Sequence, residues 1–252
     1  MFRVVLIFSS LFLILNCAGN KPKGDWTASD YYHYAKEMFD EEDYYDASNE
    51  FTVVVLRFAG TSVADSAQFY LAESHFMMDE FLIAAVEYEK LINSMGKSPL
   101  VPRAQYKLAE SYFQLSPRPS LDQQYTNKAI RSFQTFIEDY PRDEQKEDAE
   151  KRIAELRDRL AEKAIASATV YQKMREYDAA IIYYDKILEQ YYDSAWADDA
   201  LLGKIETYIS MEDFDNAAKE IEKFSEQFPG SENKDKVDKF VFEVSEQNKQ
   251  EK

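Results

Sequence analysis

Residues able to do chemistry are few. The 252-residue chain has one cysteine, Cys17, and two histidines, His33 and His75. No His-Glu-x-x-His, phosphate-cradling glycine loop, nucleophile elbow or paired metal-ligand spacing occurs. His75 occupies a position that Met38 and Tyr112 fill elsewhere in the pattern, which reads as a large core slot rather than a ligand. Acidic runs such as Asp40-Glu41-Glu42-Asp43 read as solvated turns. An enzyme, a metal site and a cofactor are not expected. Aromatic residues repeat instead. Tyr32, Phe69 and Tyr106 are spaced 37 apart, as are Phe39, Phe76 and Phe113, and seven residues separate the two members of each pair. Seven residues is two turns, so each pair lies on one helix face. Such a ladder is either a groove for an extended, aromatic-bearing peptide or packing between neighbouring helices. Phe39, Phe76 and Phe113 are the members expected to be partly buried. At the same positions further on stand Ile165, Gln172, Leu202 and Ile209, so the ladder ends with the third unit.

The elements that position these rings follow from the small residues between them. Ala35, Ala72 and Ala109 are 37 apart, with Ala47 and Ala84 each twelve residues beyond the first two. Ala129, Ala180 and Ala217 continue the second set, the last two again 37 apart. A small residue in each of two antiparallel helices allows close approach, and large apolar residues fill the flanking grooves. The pattern is similar to the tetratricopeptide repeat and predicts an all-α superhelix of five helix-turn-helix units, at 29–60, 65–97, 102–141, 145–192 and 198–229. An ordinary helical bundle is the alternative. In repeat three the second alanine comes 20 rather than twelve residues after the first, and the insertion, with Pro117 and Pro119, must be a loop. From Asp143 onward some 30 residues lack a breaker, which predicts one long helix. Ser and Asp residues in the connections are expected to cap the helices that follow. A final helix bearing Val237, Phe240, Val241 and Val244 ends the array at 245, before a polar tail at 246–252.

Cys17 closes the apolar run Val4–Leu15, which follows a single basic residue, Arg3. Twelve helical residues span about 18 Å, short of a bilayer core. The pattern is that of a secretory signal peptide at 1–16. Ile14-Leu15-Asn16-Cys17-Ala18-Gly19 resembles a bacterial lipobox, although Asn16 stands where a smaller residue is usual. That resemblance implies cleavage before Cys17 and acylation of its thiol. Two or three acyl chains, at about 0.8 kcal/mol per buried methylene, would anchor the protein to a membrane. Residues 17–28 read as a lipidated tether. A formal net charge of −17 leaves no basic face for nucleic acid.

The lipobox, the five repeats and above all Asp148-Ala149, Lys151-Arg152 and Asp158-Arg159-Leu160-Ala161 resemble the BamD family, the lipoproteins of the outer-membrane β-barrel assembly machinery. The turn Tyr140-Pro141-Arg142-Asp143, the insertion at Leu121-Asp122-Gln123 and the stretch Ala195–Leu201 are similar to the family as well. The resemblance covers essentially the whole chain after Cys17. It implies a non-enzymatic scaffold on the periplasmic face of the outer membrane. Its C-terminal half would bind the periplasmic domains of the BamA-like insertase. Its N-terminal repeats would meet nascent β-barrel proteins, for which the aromatic ladder is a candidate groove. Arg152, Asp158, Arg159, Lys173 and Arg175 are the candidate insertase-contact region, with Met174 where the family places a basic residue between the helices of repeat four. A different envelope adaptor, serving cell-wall or division machinery, would share the anchor and repeats without needing the Asp148–Ala161 stretch.

Overall fold

A computed structural model describes residues 24–250. The expected signal peptide, Cys17 and most of the expected tether lie outside the described residues, as do the last two residues of the expected polar tail. The described residues form eleven α-helices and no strand. In order they are α1 (Ala28–Asp40), α2 (Tyr44–Arg57), α3 (Ala64–Met77), α4 (Phe81–Ser94), α5 (Val101–Leu115), α6 (Gln124–Asp139), α7 (Lys146–Lys173), α8 (Tyr177–Gln190), α9 (Ala197–Ser210), α10 (Phe214–Gln227) and α11 (Lys234–Gln250).

Each helix packs chiefly on its neighbours in sequence, and α1 with α3, α5 with α7, and α7 with α9 also touch. That is a solenoid: odd-numbered helices share one layer, and every unit contacts the next. The small residues sit at the crossings. Ala35, Ala72, Ala109 and Ala168 on odd helices, and Ala47, Ala84, Ala129, Ala180 and Ala217 on even ones, are all fully buried. α7 is a single helix of 28 residues, about 42 Å long. Its first half packs Ala149 and Leu156 into the core of repeat three, and its second half packs Ala161, Ala164 and Ala168 against α8.

Two turns recur. Between the helices of repeats one, two, four and five, Glu42, Asp79, Arg175 and Glu212 take positive φ angles of 60–64°. The residue after each donates its N–H five residues back, as in Asp43 N to Met38 O and Glu176 N to Tyr171 O. This is a Schellman closure, built here without glycine. Between units, Thr61, Ser98, Asp143, Ser194 and Ser231 each close two successive turns. These Ser and Asp residues stand three positions before the first helical residue, so they do not cap the helix directly. The N-cap positions of α3, α5, α7 and α9 are Val63, Leu100, Gln145 and Trp196, none with a side-chain cap. The side chains instead accept the backbone N–H two residues on, as Asp143 Oδ1 does from Gln145 at 2.9 Å. The capping has moved one turn upstream because a tight turn precedes each helix.

Candidate partner-binding surfaces

The six rings of the ladder divide by burial: Phe39, Phe76 and Phe113 are partly buried, and two of the rings at the other position are enclosed further still. In repeats two and three the first member is enclosed. Phe69 has no exposed surface and packs on Tyr88 at 5.8 Å, with Arg103 of the next unit over its face at 4.7 Å. Tyr106 is 6% exposed, wedged against Phe133 and Phe136, and its hydroxyl donates to Asp148 Oδ2 at 2.5 Å. The first ring of each pair lies where its own second helix and the next unit's first helix converge. Phe69 therefore cannot touch a peptide. Tyr32, Phe39, Phe76 and Phe113 are half-buried. Lys36 lies 5.6 Å from Phe39, Lys107 4.3 Å from Phe76 and Arg152 4.5 Å from Phe113. For Phe76 and Phe113 the cation comes from the unit that follows, so the contact ties units together.

Past the third unit the ladder positions hold smaller or polar residues, and a cavity of about 500 Å³ opens between α7, α8 and α9. Ile165, Thr169, Gln172, Leu202 and Glu206 line it. Only the absence of rings at 165, 172, 202 and 209 marked this place in the sequence.

The residues of the proposed insertase-contact region fall into two sets. Arg152, Asp158 and Arg159 are engaged within the chain. Arg152 stacks on Phe113 and lies 3.7 Å from Glu110 and 3.5 Å from Asp148; its Nε is enclosed without a hydrogen bond. Asp158 Oδ1 accepts the N–H of Ala195 at 2.9 Å, fastening the turn that leads into α9. Arg159 Nη1 donates to Ser116 O and Oγ, both at 2.9 Å, which ties α7 to the end of α5. Between them Arg157, not singled out in the sequence, donates to Asp193 Oδ1 at 2.5 Å and to Gln190 O at 2.8 Å. That contact holds the Asp193 carboxyl below the usual carboxylate range. These residues are braces. Lys173 and Arg175 differ: both are exposed, and neither side chain has an ion-pair partner among the described residues.

Beside them lies a cleft of about 770 Å³, between the repeat-three insertion and the second half of α7. Val170, Tyr171, Met174, Tyr183 and Pro119 give it an apolar floor, with Arg118 and Lys163 on one edge. Val170 and Met174 are 54% and 63% exposed. The wall is built in advance: Gln123 Nε2 donates to Arg118 O and Leu121 O, both at 3.0 Å, and Lys163 Nζ donates to Leu121 O at 2.8 Å. Among the described residues no group of three or more His, Cys, Asp or Glu could hold a metal, and no helix is long and apolar enough to cross a membrane.

No curated protein matches the sequence. Among solved structures, the chain is similar to the TPR2AB domain of yeast Sti1, solved as a complex with pHSP90 (10% identity, TM-score 0.42, covering 86% of this chain and 98% of that one). It is also similar to tetratricopeptide-repeat proteins from Parabacteroides merdae (14%, TM-score 0.38, 88% and 75% covered) and Thermus thermophilus (16%, TM-score 0.37, 86% and 100% covered). The family model YfiO, described as outer membrane lipoprotein, matches residues 24–212, which run from the start of the described residues through α9. The chain belongs to this family of BamD-like outer membrane lipoproteins.

Proposed function

We propose that the protein is a non-catalytic scaffold of the outer-membrane barrel assembly (Bam) machinery, held at the periplasmic face by acyl chains on Cys17 after removal of residues 1–16. The reading rests on the family match over residues 24–212 together with one surface feature: a preformed apolar cleft flanked by unpaired cations in a chain of net charge −17. Val170, Met174 and Tyr183 offer apolar contact there, and Lys173 and Arg175 offer charge to an acidic patch. The periplasmic domains of the BamA-like insertase are the proposed occupant. Arg152, Asp158 and Arg159 act indirectly, by keeping α7 and the insertion in one shape. The half-buried faces of Tyr32, Phe39, Phe76 and Phe113 remain the proposed contact for nascent barrel proteins; Phe69 and Tyr106 support them from beneath.

The test is to solubilise membranes in mild detergent, recover the protein by a C-terminal tag and identify what co-purifies. Stoichiometric recovery of an outer-membrane barrel with repeated periplasmic domains, lost on Lys173→Glu/Arg175→Glu, is the expected result. Reproducible recovery of cell-wall or division proteins in its place would turn the reading to an envelope adaptor. For the anchor, Cys17→Ser should move the protein to the periplasmic fraction; a Cys17→Ser protein still bound to membranes in high salt would sink the lipidation.

A further inference from the structure

The cavity of about 500 Å³ between α7 and α9 is a slot that the scaffold reading leaves unused. Glu162, Ile165 and Gln172 stand on one face of α7 and form one wall. Asp199 and Leu202, each 37 residues after its partner across the slot, form the other wall on α9. Tyr184 of α8 lies beneath. From the level of Glu162 to that of Gln172 the slot runs about 15 Å, the length of about four to five residues of extended chain. Between the earlier units Phe69 and Tyr106 are enclosed at the positions that Leu202 and Ile165 hold here.

The middle of the slot is apolar and its two ends are not. At one end Glu162 is exposed, with no ion-pair or hydrogen-bond partner among the described residues. Across from it Asp199 Oδ1 accepts from Asn233 Nδ2 at 2.8 Å, a neutral donor that leaves the carboxylate charge uncompensated. Trp196 lines the same end. Glu206, further along, is already paired with Lys236 and adds no free charge. At the other end Gln172 Oε1 accepts the Tyr184 hydroxyl at 3.0 Å. That bond fixes the amide and leaves the N–H groups of Nε2 without a partner among the described residues.

We infer that this slot binds an extended segment of a partner protein. A lysine or arginine of that segment enters between Glu162 and Asp199 against Trp196, an apolar side chain two residues away covers Ile165 and Leu202, and Gln172 holds the backbone. Each part follows from a group in the slot. A helix satisfies its own backbone and has no use for the Gln172 N–H groups, whereas an extended chain offers them carbonyls. Two uncompensated carboxylates beside an indole suit a cationic side chain and repel an acidic one. The spacing fits as well. Side chains on one side of an extended chain recur about every 6.6 Å, and the step from Asp199 to Gly203 along the slot is about 6 Å. The inference does not depend on the assembly-machine reading, whose cleft shares only Glu162 and Ala166 with the slot.

The test titrates the full-length protein in detergent, with Trp26→Phe so that Trp196 alone reports, against the peptide acetyl-Gly-Ser-Lys-Ser-Leu-Ser-Gly-amide. Two further peptides carry glutamate for the lysine or aspartate for the leucine. The expected result is a saturable change in Trp196 fluorescence with the first peptide and binding about ten-fold weaker for each of the others. Glu162→Gln should weaken the first peptide about three-fold, the size of an exposed ion pair, and leave the melting temperature unchanged. Gln172→Ala should weaken it too, while Met174→Ser, in the neighbouring cleft, should not. Equal binding of the three peptides, no saturable change at millimolar concentration, or a loss in Met174→Ser without one in Gln172→Ala would each overturn the proposal.

Discussion

In repeats one to three the space between successive units is filled by rings. Phe69 and Tyr106 are enclosed there, and Phe76 and Phe113 are covered by Lys107 and Arg152 of the units that follow. In repeats four and five the same positions hold Ile165, Gln172, Leu202 and Ile209, and the space is a cavity of about 500 Å³. Cohesion there comes from elsewhere. Tyr184 presses on Gly203, where a Cβ would stand 2.5 Å from its ring, and Lys204 joins Asp185 at 2.6 Å and Glu220 at 3.0 Å across three helices. One period therefore supports two fillings. Aromatic filling makes a stiff stack with little free groove; polar and aliphatic filling leaves a groove and moves the adhesive contacts to the helix crossings.

The largest effect should come from removing an enclosed ring. Phe69→Ala should cost about 3–5 kcal/mol, the range for a fully buried aromatic. Phe76→Ala, losing a half-buried ring and one cation contact, should cost about 1 kcal/mol. Urea melts followed at Trp26, with Trp196→Phe to silence the second half, separate the two. Equal losses would mean that the rings contribute alike and that the contrast between them is wrong.

Next in size is the crossing that holds repeats four and five. Gly203→Ala would drive a methyl into Tyr184, a residue 2% exposed, and overpacking of this kind costs about 1–3 kcal/mol. Tyr184→Leu in the same chain should recover much of the loss, because the clash is with the far end of the ring. Melts followed at Trp196, with Trp26→Phe, report this half. Additive losses in the double variant would show that Gly203 does not act through Tyr184.

What the sequence disclosed and what it hid divide along physical lines. Helix crossings were legible because they demand a small residue at fixed spacing, as at Ala35, Ala72 and Ala109, and the absence of Gly or Pro announced the length of α7. The fate of each ring was not. Whether Phe69 or Phe76 is enclosed depends on Val101 and Ala104 of the next unit closing over the first, and no local spacing encodes that. The braces were hidden for the same reason: Arg157 and Asp193 are 36 residues apart, and Arg159 reaches Ser116 across 43. A cluster of charges on one helix face reads as a docking surface until its distant partners are known.

The ion cluster gives a prediction in pH. Burial alone would raise the Glu220 carboxyl, but hydrogen bonds from Lys223 and Lys204, with their charges, hold it below its ordinary 4.5. Its contribution is present above pH 4.5 and is lost as the pH falls through the depressed value. Lys204 runs the other way: burial alone would lower it, yet Asp185 and Glu220 raise it above 10.5, so its share persists below that pH and fades above it. The Trp196 signal should therefore lose stability on acidification below pH 4.5, and Lys204→Met, costing about 1 kcal/mol near neutrality since Glu220 keeps Lys223, should flatten that slope. An unchanged acid slope in Lys204→Met would remove the cluster from the account.

The smallest effect distinguishes repeat three from its siblings at a single backbone torsion. Glu42, Asp79, Arg175 and Glu212 hold positive φ at the turn between helices, a conformation that costs a side-chain-bearing residue about 1 kcal/mol and glycine almost nothing. The matching residue of repeat three, Ser116, has φ −68° and ψ 117°, because the insertion leads the chain away from that turn. Glycine at Glu42 relieves strain in the folded state, partly offset by greater freedom in the unfolded chain, so Glu42→Gly should be neutral to stabilising by a few tenths of a kcal/mol. Ser116→Gly has no strain to relieve and loses the hydroxyl that Arg159 binds, so it should destabilise by about 1 kcal/mol. Both changes end in glycine; they differ in the torsion they meet and in the hydroxyl that only Ser116 loses, a share that Ser116→Ala measures alone. Opposite signs in calorimetric melting temperature would tie the effect to the turn, whereas a loss at both would show that the positive φ carries no strain worth relieving.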